Sequence, residues 1–225
     1  MGQNKEKMML ISKETALEIH KRLLELYPER KCALNFKSPY ELLVASRLSA
    51  QCTDIRVNIV TEELFKKYPT EKELSEADFE DVASIIKSCG LGNTKARDII
   101  TASKQLCELN GILPDTKEGL LKIKGVGRKI ANLLLGEIYH QDGVVIVDTH
   151  CIRLTNRMGF CDEENPKKIE DILRTVIPAK ESLDFCHAIV FHGRQICKAQ
   201  KPNCNECILN DICLKNFKEK GKNKK

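Results

Sequence analysis

No apolar run in this sequence approaches the roughly 20 residues that a membrane-crossing helix needs. The opening, MGQNKEKMML, is too polar for a secretory signal. Glu6 stands where an N-myristoylation signal carries Ser or Thr. These absences lead to the expectation of a cytoplasmic protein with no membrane partner. No repeat of fixed period and no oligomerisation signal are visible, so a monomer is expected. A basic body is lacking too. The formal net charge is +5, but the last eleven residues, KNFKEKGKNKK, hold six lysines and one glutamate, so the rest of the chain is formally neutral. Any polyanion must be met by a local face, helped by that tail, which otherwise reads as a disordered, solubilising end. Strand signals are equally scarce. Only GVVIVD (143–148) looks strand-like, and it stands alone, so no sheet is implied.

What is present is helical periodicity. SKETALEIHKRLLELYP puts Leu17, His20, Leu23, Leu24 and Tyr27 on one face, and Pro28 stops it. In SPYELLVASRLSAQ, Ser38 is an N-cap, Pro39 takes the first helical position and Glu41 the capping-box place. Further helices are expected at about 55–67, 76–88, 93–110, 116–123, 128–140, 149–158, 166–176 and 181–194. The length suits one large domain or two lobes, and the class is all-α.

Four features carry chemistry. LLKIKGVGRKIANLLL reads as helix, Gly-Val-Gly hairpin, helix. Gly125 and Gly127 allow positive φ and close backbone approach around Val126, and the following helix N-terminus suits an anion such as a DNA phosphate. A plain helix-turn-helix corner would have the same glycines. Second, Arg128 and Lys129 open that helix at the end where cations are disfavoured. The helix dipole, Arg128 and partial burial would each weaken the hold of Lys129 on its proton and favour an amine nucleophile. The alternative is ordinary surface charge. Third, Asp148 ends VVIV and begins THCIRLTNRMG, where it makes a good N-cap with Val147 and Ile152 placed for a hydrophobic staple. A carboxylate held there can also stabilise cationic charge developing on a sugar.

The fourth feature is CKAQKPNCNECILNDIC, in which Cys197, Cys204, Cys207 and Cys213 are spaced C-x6-C-x2-C-x5-C. In a chain of this length without a signal peptide, such crowding indicates a metal centre rather than disulfides. Zinc and a [4Fe–4S] cluster remain even on this chemistry alone. The other seven of the eleven cysteines read as small buried hydrophobes.

Taken together, LSAQCTD (48–54), GLGNTKA (90–96), GVGRK (125–129), VDTHCIRLTNRMG (147–159), FHGRQIC (191–197) and the four-cysteine motif resemble the endonuclease III family of helix-hairpin-helix DNA glycosylase/AP lyases. The resemblance covers most of the chain except the extreme N-terminus and the lysine tail. It implies a central helical bundle over 32–142 with the hairpin motif at about 116–140. A second lobe is formed by 1–31 with 143–214 and carries a [4Fe–4S] cluster on the four cysteines, residues 215–225 are a basic tail, and damaged double-stranded DNA is bound in the cleft between the lobes. It also implies that Lys129 is the nucleophile and Asp148 its assistant. Gln51 is similar to the residue that fills the space left by a flipped nucleotide, and Leu91 to one that wedges the opposite strand. Gln51 as an internally bonded loop residue and Leu91 as core are the alternatives. His150, Lys198 and Lys201 are candidate phosphate contacts, or simply solvated.

Two departures from the family pattern stand out. Lys124 precedes the hairpin where the family commonly has Pro, which should loosen the entry to the turn slightly. The spacer from Lys129 to Asp148 is about one residue longer than the family's, with the extra residue expected in YHQDG. Two other functions compete: a monofunctional glycosylase acting on uracil or thymine mismatches, which would leave the strand intact, and a non-catalytic DNA-binding module with a structural or redox-sensing cluster.

Overall fold

The computed structural model describes residues 10–217. Eleven α-helices run through them in the order α1 (Lys13–Leu26), α2 (Pro39–Leu48), α3 (Asp54–Lys67), α4 (Glu71–Ser75), α5 (Phe79–Ile86), α6 (Gly92–Glu108), α7 (Lys117–Leu120), α8 (Arg128–Glu137), α9 (Thr149–Met158), α10 (Pro166–Val176) and α11 (Ser182–Gln195). Among the described residues there is no strand, and no helix is long and apolar enough to cross a membrane. The chain divides into two compact units, Cys32–Gln141 and Met1–Lys31 with Asp142–Lys225.

The Cys32–Gln141 unit is organised around α2 and α6. Helix α2 starts as its sequence dictates: the Ser38 side chain accepts from the Glu41 N–H, and Pro39 sits in the first turn. The Glu41 carboxylate, however, accepts from the Lys37 N–H rather than completing a capping box on Ser38. The complete capping box belongs to α4, between Thr70 and Glu73, a short helix that hydrophobic periodicity does not announce. Leu42, Leu43, Val44, Ala45 and Leu48 of α2 are at most 1 % exposed. Burial of each leucine contributes about 1.5–3 kcal/mol. Helix α6 packs on α2, α4 and α5, and α8 packs on α2 and α7. The expected 76–88 helix is α5 plus a 3-10 turn at Lys87–Cys89.

In the other unit, α11 packs on α1 and α9. The buried face of α1 is Ala16, Ile19, His20, Leu23 and Tyr27. Leu17, expected on that face, is exposed, and Leu24 is half-buried. The hydrophobic stripe is rotated by one position because Ala16 and Ile19 supply the close packing. The run GVVIVD is not a strand. Val144–Val147 is buried, and the Ile146 N–H donates to the Cys186 sulfur.

Candidate active site and metal centre

The hairpin between α7 and α8 is held from below by side chains of α2 and α6. Gly125 has φ of +79°, a left-handed conformation. A Cβ there would lie 2.7 Å from Arg47 Cδ, 2.8 Å from Arg47 Nε and 3.2 Å from Asp98 Cβ. Arg47 and Asp98 form an ion pair beneath the turn, with Nε and Nη2 donating to Oδ2 at 2.8 and 2.6 Å. Lys124 Nζ stands 4.0 Å from the other oxygen of Asp98. Gln105 of α6 holds the turn twice, accepting from the Lys124 N–H at 2.7 Å and donating to the Lys122 carbonyl at 3.2 Å. The bond to Lys124 is one that proline cannot make. The expected loosening from losing that proline is therefore offset by a side-chain tie that only the tertiary structure supplies.

The second glycine has a different role from the one expected. Gly127 is the N-cap of α8, at φ −99° and ψ 178°, extended backbone that any residue adopts. A Cβ there would meet nothing within 4 Å. No side chain caps α8 and its first turn holds no acid, so the positive end of the helix is left for an external anion. Val126 is buried and its N–H donates to the Ile123 carbonyl, so it shapes the turn. Gly125→Ala is expected to cost about 1–3 kcal/mol through its left-handed φ and the clash with Arg47. Gly127→Ala is expected to stay within about 0.5 kcal/mol of wild type. Thermal melts of the pair check this, and equal losses would contradict the assignment.

Lys129 is exposed, so the partial burial expected from the sequence is absent. The uncapped helix end and the half-buried Arg128 are its local electrostatics. No hydrogen bond or ion pair engages its amine among the described residues. In the same unit, Gln51 and Leu91 are both exposed, Leu91 to 58 %, and both are left-handed, at φ +56° and +50°. Neither is core. A left-handed non-glycine residue costs about 1 kcal/mol or more, so each is held there by its surroundings.

Asp148 caps α9: its Oδ1 accepts from the Cys151 N–H at 2.8 Å, and Oδ2 accepts no hydrogen bond among the described residues. His150 is half-buried rather than simply solvated. It packs on Gly193 of α11, where a Cβ would lie 2.5 Å from its Nδ1, and Arg153 Nη2 is 3.1 Å from the same nitrogen. Arg153 also donates to the carbonyls of Gly193 and Cys197. Lys198 and Lys201 are exposed, and Lys201 is left-handed at φ +51°.

Cys197, Cys204, Cys207 and Cys213 line one cavity together with Arg157, His192 and Leu209. Among the described residues, no three His, Cys, Asp or Glu side chains stand close enough to share one metal ion. A single zinc needs four sulfurs converging at about 2.3 Å on one point. A four-iron cluster takes each thiolate on a different iron and needs them spread around a larger body. Four cysteine sulfurs lining one cavity are a donor set that a [4Fe–4S] cluster takes. Burial pushes the Cys207 and Cys213 thiols up, so thiolates there call for a positive partner. The sulfurs also have donors that were not legible in the sequence. Arg157 Nη1 is 3.5 Å from Cys197 Sγ, and His192 Nε2 is 3.4 Å from Cys207 Sγ. Tyr27 Oη lies 3.0 Å from His192 Nδ1, and burial holds the imidazole neutral by pushing it down to about 4.

Comparison with known proteins agrees with this geometry. Residues 44–179, more than half the chain, match the HhH-GPD superfamily of base excision DNA repair proteins. Residues 197–213, bounded by the first and last cysteines of the motif, match the iron–sulfur binding domain of endonuclease III. Endonuclease III of Synechocystis sp. is 40% identical over 206 residues, covering 91% of this chain and 94% of the relative. Endonuclease III of Escherichia coli (strain K12) is 40% identical over 211 residues, covering 93% and 99%. A solved structure of a trapped endonuclease III–DNA covalent intermediate superposes with a TM-score of 0.87 at 35% identity, covering 92% of this chain and 98% of that one. With an all-helical fold, a glycine hairpin feeding an uncapped helix and a four-cysteine cluster cavity, the chain belongs to the endonuclease III family of the HhH-GPD superfamily and carries its [4Fe–4S] cluster.

Proposed function

We propose that Lys129 is the Schiff-base nucleophile of this DNA glycosylase/AP lyase, that Asp148 assists it, and that the substrate is an oxidised pyrimidine in duplex DNA. Membership of the endonuclease III family makes the protein a DNA N-glycosylase with AP lyase activity in base excision repair. The observation that carries the residue assignment is an exposed lysine, with no hydrogen bond or ion pair to its amine among the described residues, in the first turn of the uncapped helix α8. That position meets a polyanion with the positive helix end and offers a nucleophile beside it. The trapped covalent intermediate of an endonuclease III, to which this chain is similar, supports the same reading.

In the proposed sequence, the turn that Val126 shapes presents the backbone of Gly125 and Gly127, with Arg128, to a phosphate and sets the register of the duplex without reading its sequence. His150, Lys198 and Lys201 add phosphate contacts. The damaged nucleotide is turned out of the stack, which costs least where pairing is already weak. Gln51 fills the vacated space and Leu91 wedges the opposite strand, both from exposed, left-handed tips. The Lys129 amine attacks C1′, the N-glycosidic bond breaks, and the base leaves with the bonding pair and takes up a proton. The lysine nitrogen gives up a proton, and the C1′–O4′ bond then opens, O4′ becoming a hydroxyl and C1′=N the Schiff base. Asp148 stabilises the positive charge that grows on the sugar. Loss of a C2′ proton from the Schiff base then expels the 3′ phosphate, and hydrolysis releases Lys129.

Cys197, Cys204, Cys207 and Cys213 are the proposed cluster ligands. When bound, the cluster ties a segment that holds only one short 3-10 turn. Cys204→Ala protein is expected to emerge colourless and to be cleaved first within 197–213 by protease, with its helical far-UV signal little changed. Retained colour would remove Cys204 from the ligand set. The compact unit Cys32–Gln141 supports 32–142 as the central bundle domain, leaving 1–31 with 143–214 as the cluster domain. The tail, 215–225, lies outside the described residues from 218 onward. The protein acts as a monomer on duplex DNA in the cytoplasm, without a membrane partner.

Borohydride trapping tests the whole reading. A duplex with one oxidised thymine, mixed with the protein and borohydride, is expected to give a covalent band that maps to Lys129. Base release with no crosslink would instead establish a monofunctional glycosylase.

A further inference from the structure

Lys95 of α6 is 0 % exposed, although lysine is among the residues least often buried without a partner. No carboxylate pairs with it among the described residues, and burial lowers its affinity for a proton. Its ammonium donates instead to two backbone carbonyls, those of Leu48 and Cys89, each at 2.8 Å. Leu48 ends α2, and Cys89 ends the 3-10 turn Lys87–Cys89. Both oxygens lie at helix C-termini, where carbonyls lack intrahelical partners and a cation is favoured.

The residues just beyond each carbonyl give the arrangement its meaning. Three residues after Leu48 comes Gln51, and two after Cys89 comes Leu91, the two exposed, left-handed residues. The Lys95 backbone N–H also donates to the Leu91 carbonyl at 3.0 Å. One buried side chain thus anchors the roots of both strained tips.

We propose that Lys95 is a positioning residue for base extrusion: by bonding Leu48 and Cys89 together it holds the Gln51 and Leu91 turns in fixed relation, so that both tips enter the duplex as one rigid wedge. The inference rests on the reading of Gln51 and Leu91 as DNA-inserting residues.

The test compares substrates that do and do not need a wedge. A single-stranded oligonucleotide with an abasic site requires the lysine chemistry but no extrusion from a stack. Lys95→Met removes all three donors at nearly constant length, and Lys95→Gln keeps a shorter amide donor. Single-turnover strand cleavage of an abasic duplex by Lys95→Met is expected to fall about 10- to 100-fold. Cleavage of the single strand, and affinity for undamaged duplex, should change less than about threefold. Fluorescence of 2-aminopurine opposite the lesion, which reports unstacking, should be lost with the duplex activity. Lys95→Gln should fall between Lys95→Met and wild type, and it carries the test if Lys95→Met does not fold. Equal losses on both substrates, or no loss on either in a folded variant, would overturn the proposal. Leu91→Ala separates the two layers. A duplex-specific defect supports the wedge itself, whereas full duplex activity would overturn the insertion reading on which the proposal for Lys95 rests.

Discussion

Lys129→Gln protein is expected to give no borohydride adduct and to cut abasic duplex at least about a thousandfold more slowly, since removing a covalent nucleophile costs an enzyme its whole stepwise route. Its stability should not fall. Lys129 is exposed and no hydrogen bond or ion pair engages its amine among the described residues, so truncation breaks neither there. It also removes a cation from a helix N-terminus, where cations are disfavoured by about 0.3–1 kcal/mol. The melting temperature is therefore expected to hold or rise slightly while activity disappears. That opposition of sign marks a residue kept for chemistry rather than folding. A variant that retains covalent trapping would move the nucleophile elsewhere, and a variant that melts markedly earlier would show that Lys129 has a structural contact after all.

The second large effect concerns Asp148, which has a clear structural duty as the cap of α9. Asparagine caps helices about as well as aspartate, whereas alanine costs typically about 1 kcal/mol. Asp148→Asn should therefore keep the Cys151 N–H satisfied and leave the melting temperature within a degree or two, roughly a few tenths of a kcal/mol. Its rate of base release should still fall about 10²- to 10⁴-fold, because a neutral amide cannot stabilise cationic charge on the sugar or take a proton. Asp148→Ala should lose both rate and stability. Full activity in Asp148→Asn would reduce the residue to a cap. The two substitutions, read by melting and by single-turnover kinetics on the same preparations, separate the duties that one carboxylate combines.

Several features of the site were legible because they are local. Ser38 and Asp148 cap helices through bonds that span three residues, so the sequence alone announces them. The cysteine spacing indicated a metal centre in the same way, although the choice between zinc and a four-iron cluster needed the family resemblance and then the match of residues 197–213 to the iron–sulfur binding domain of endonuclease III. The family motifs covered the hairpin, Lys129, Gln51 and Leu91. They did not reveal that Gln51 and Leu91 share a left-handed backbone, nor that Gly125 alone of the hairpin pair uses positive φ. Those properties belong to backbone torsions set by neighbours.

The all-α class, the helix starts and the four-cysteine motif were determined by the sequence itself, since each depends on residues within one or two turns of one another. The tertiary structure decided which face of α1 is buried, how Gln105 replaces the missing proline at Lys124, and what the hairpin rests on. It also decided that Lys95, which looks like any polar helix residue in GLGNTKA, is wholly interior. The reason is sequence distance. Asp98 meets Arg47 across 51 residues, and Lys95 meets Leu48 across 47. A charge whose partner lies so far along the chain leaves no periodic or spacing signal, and only the packing of α6 against α2 brings the two together.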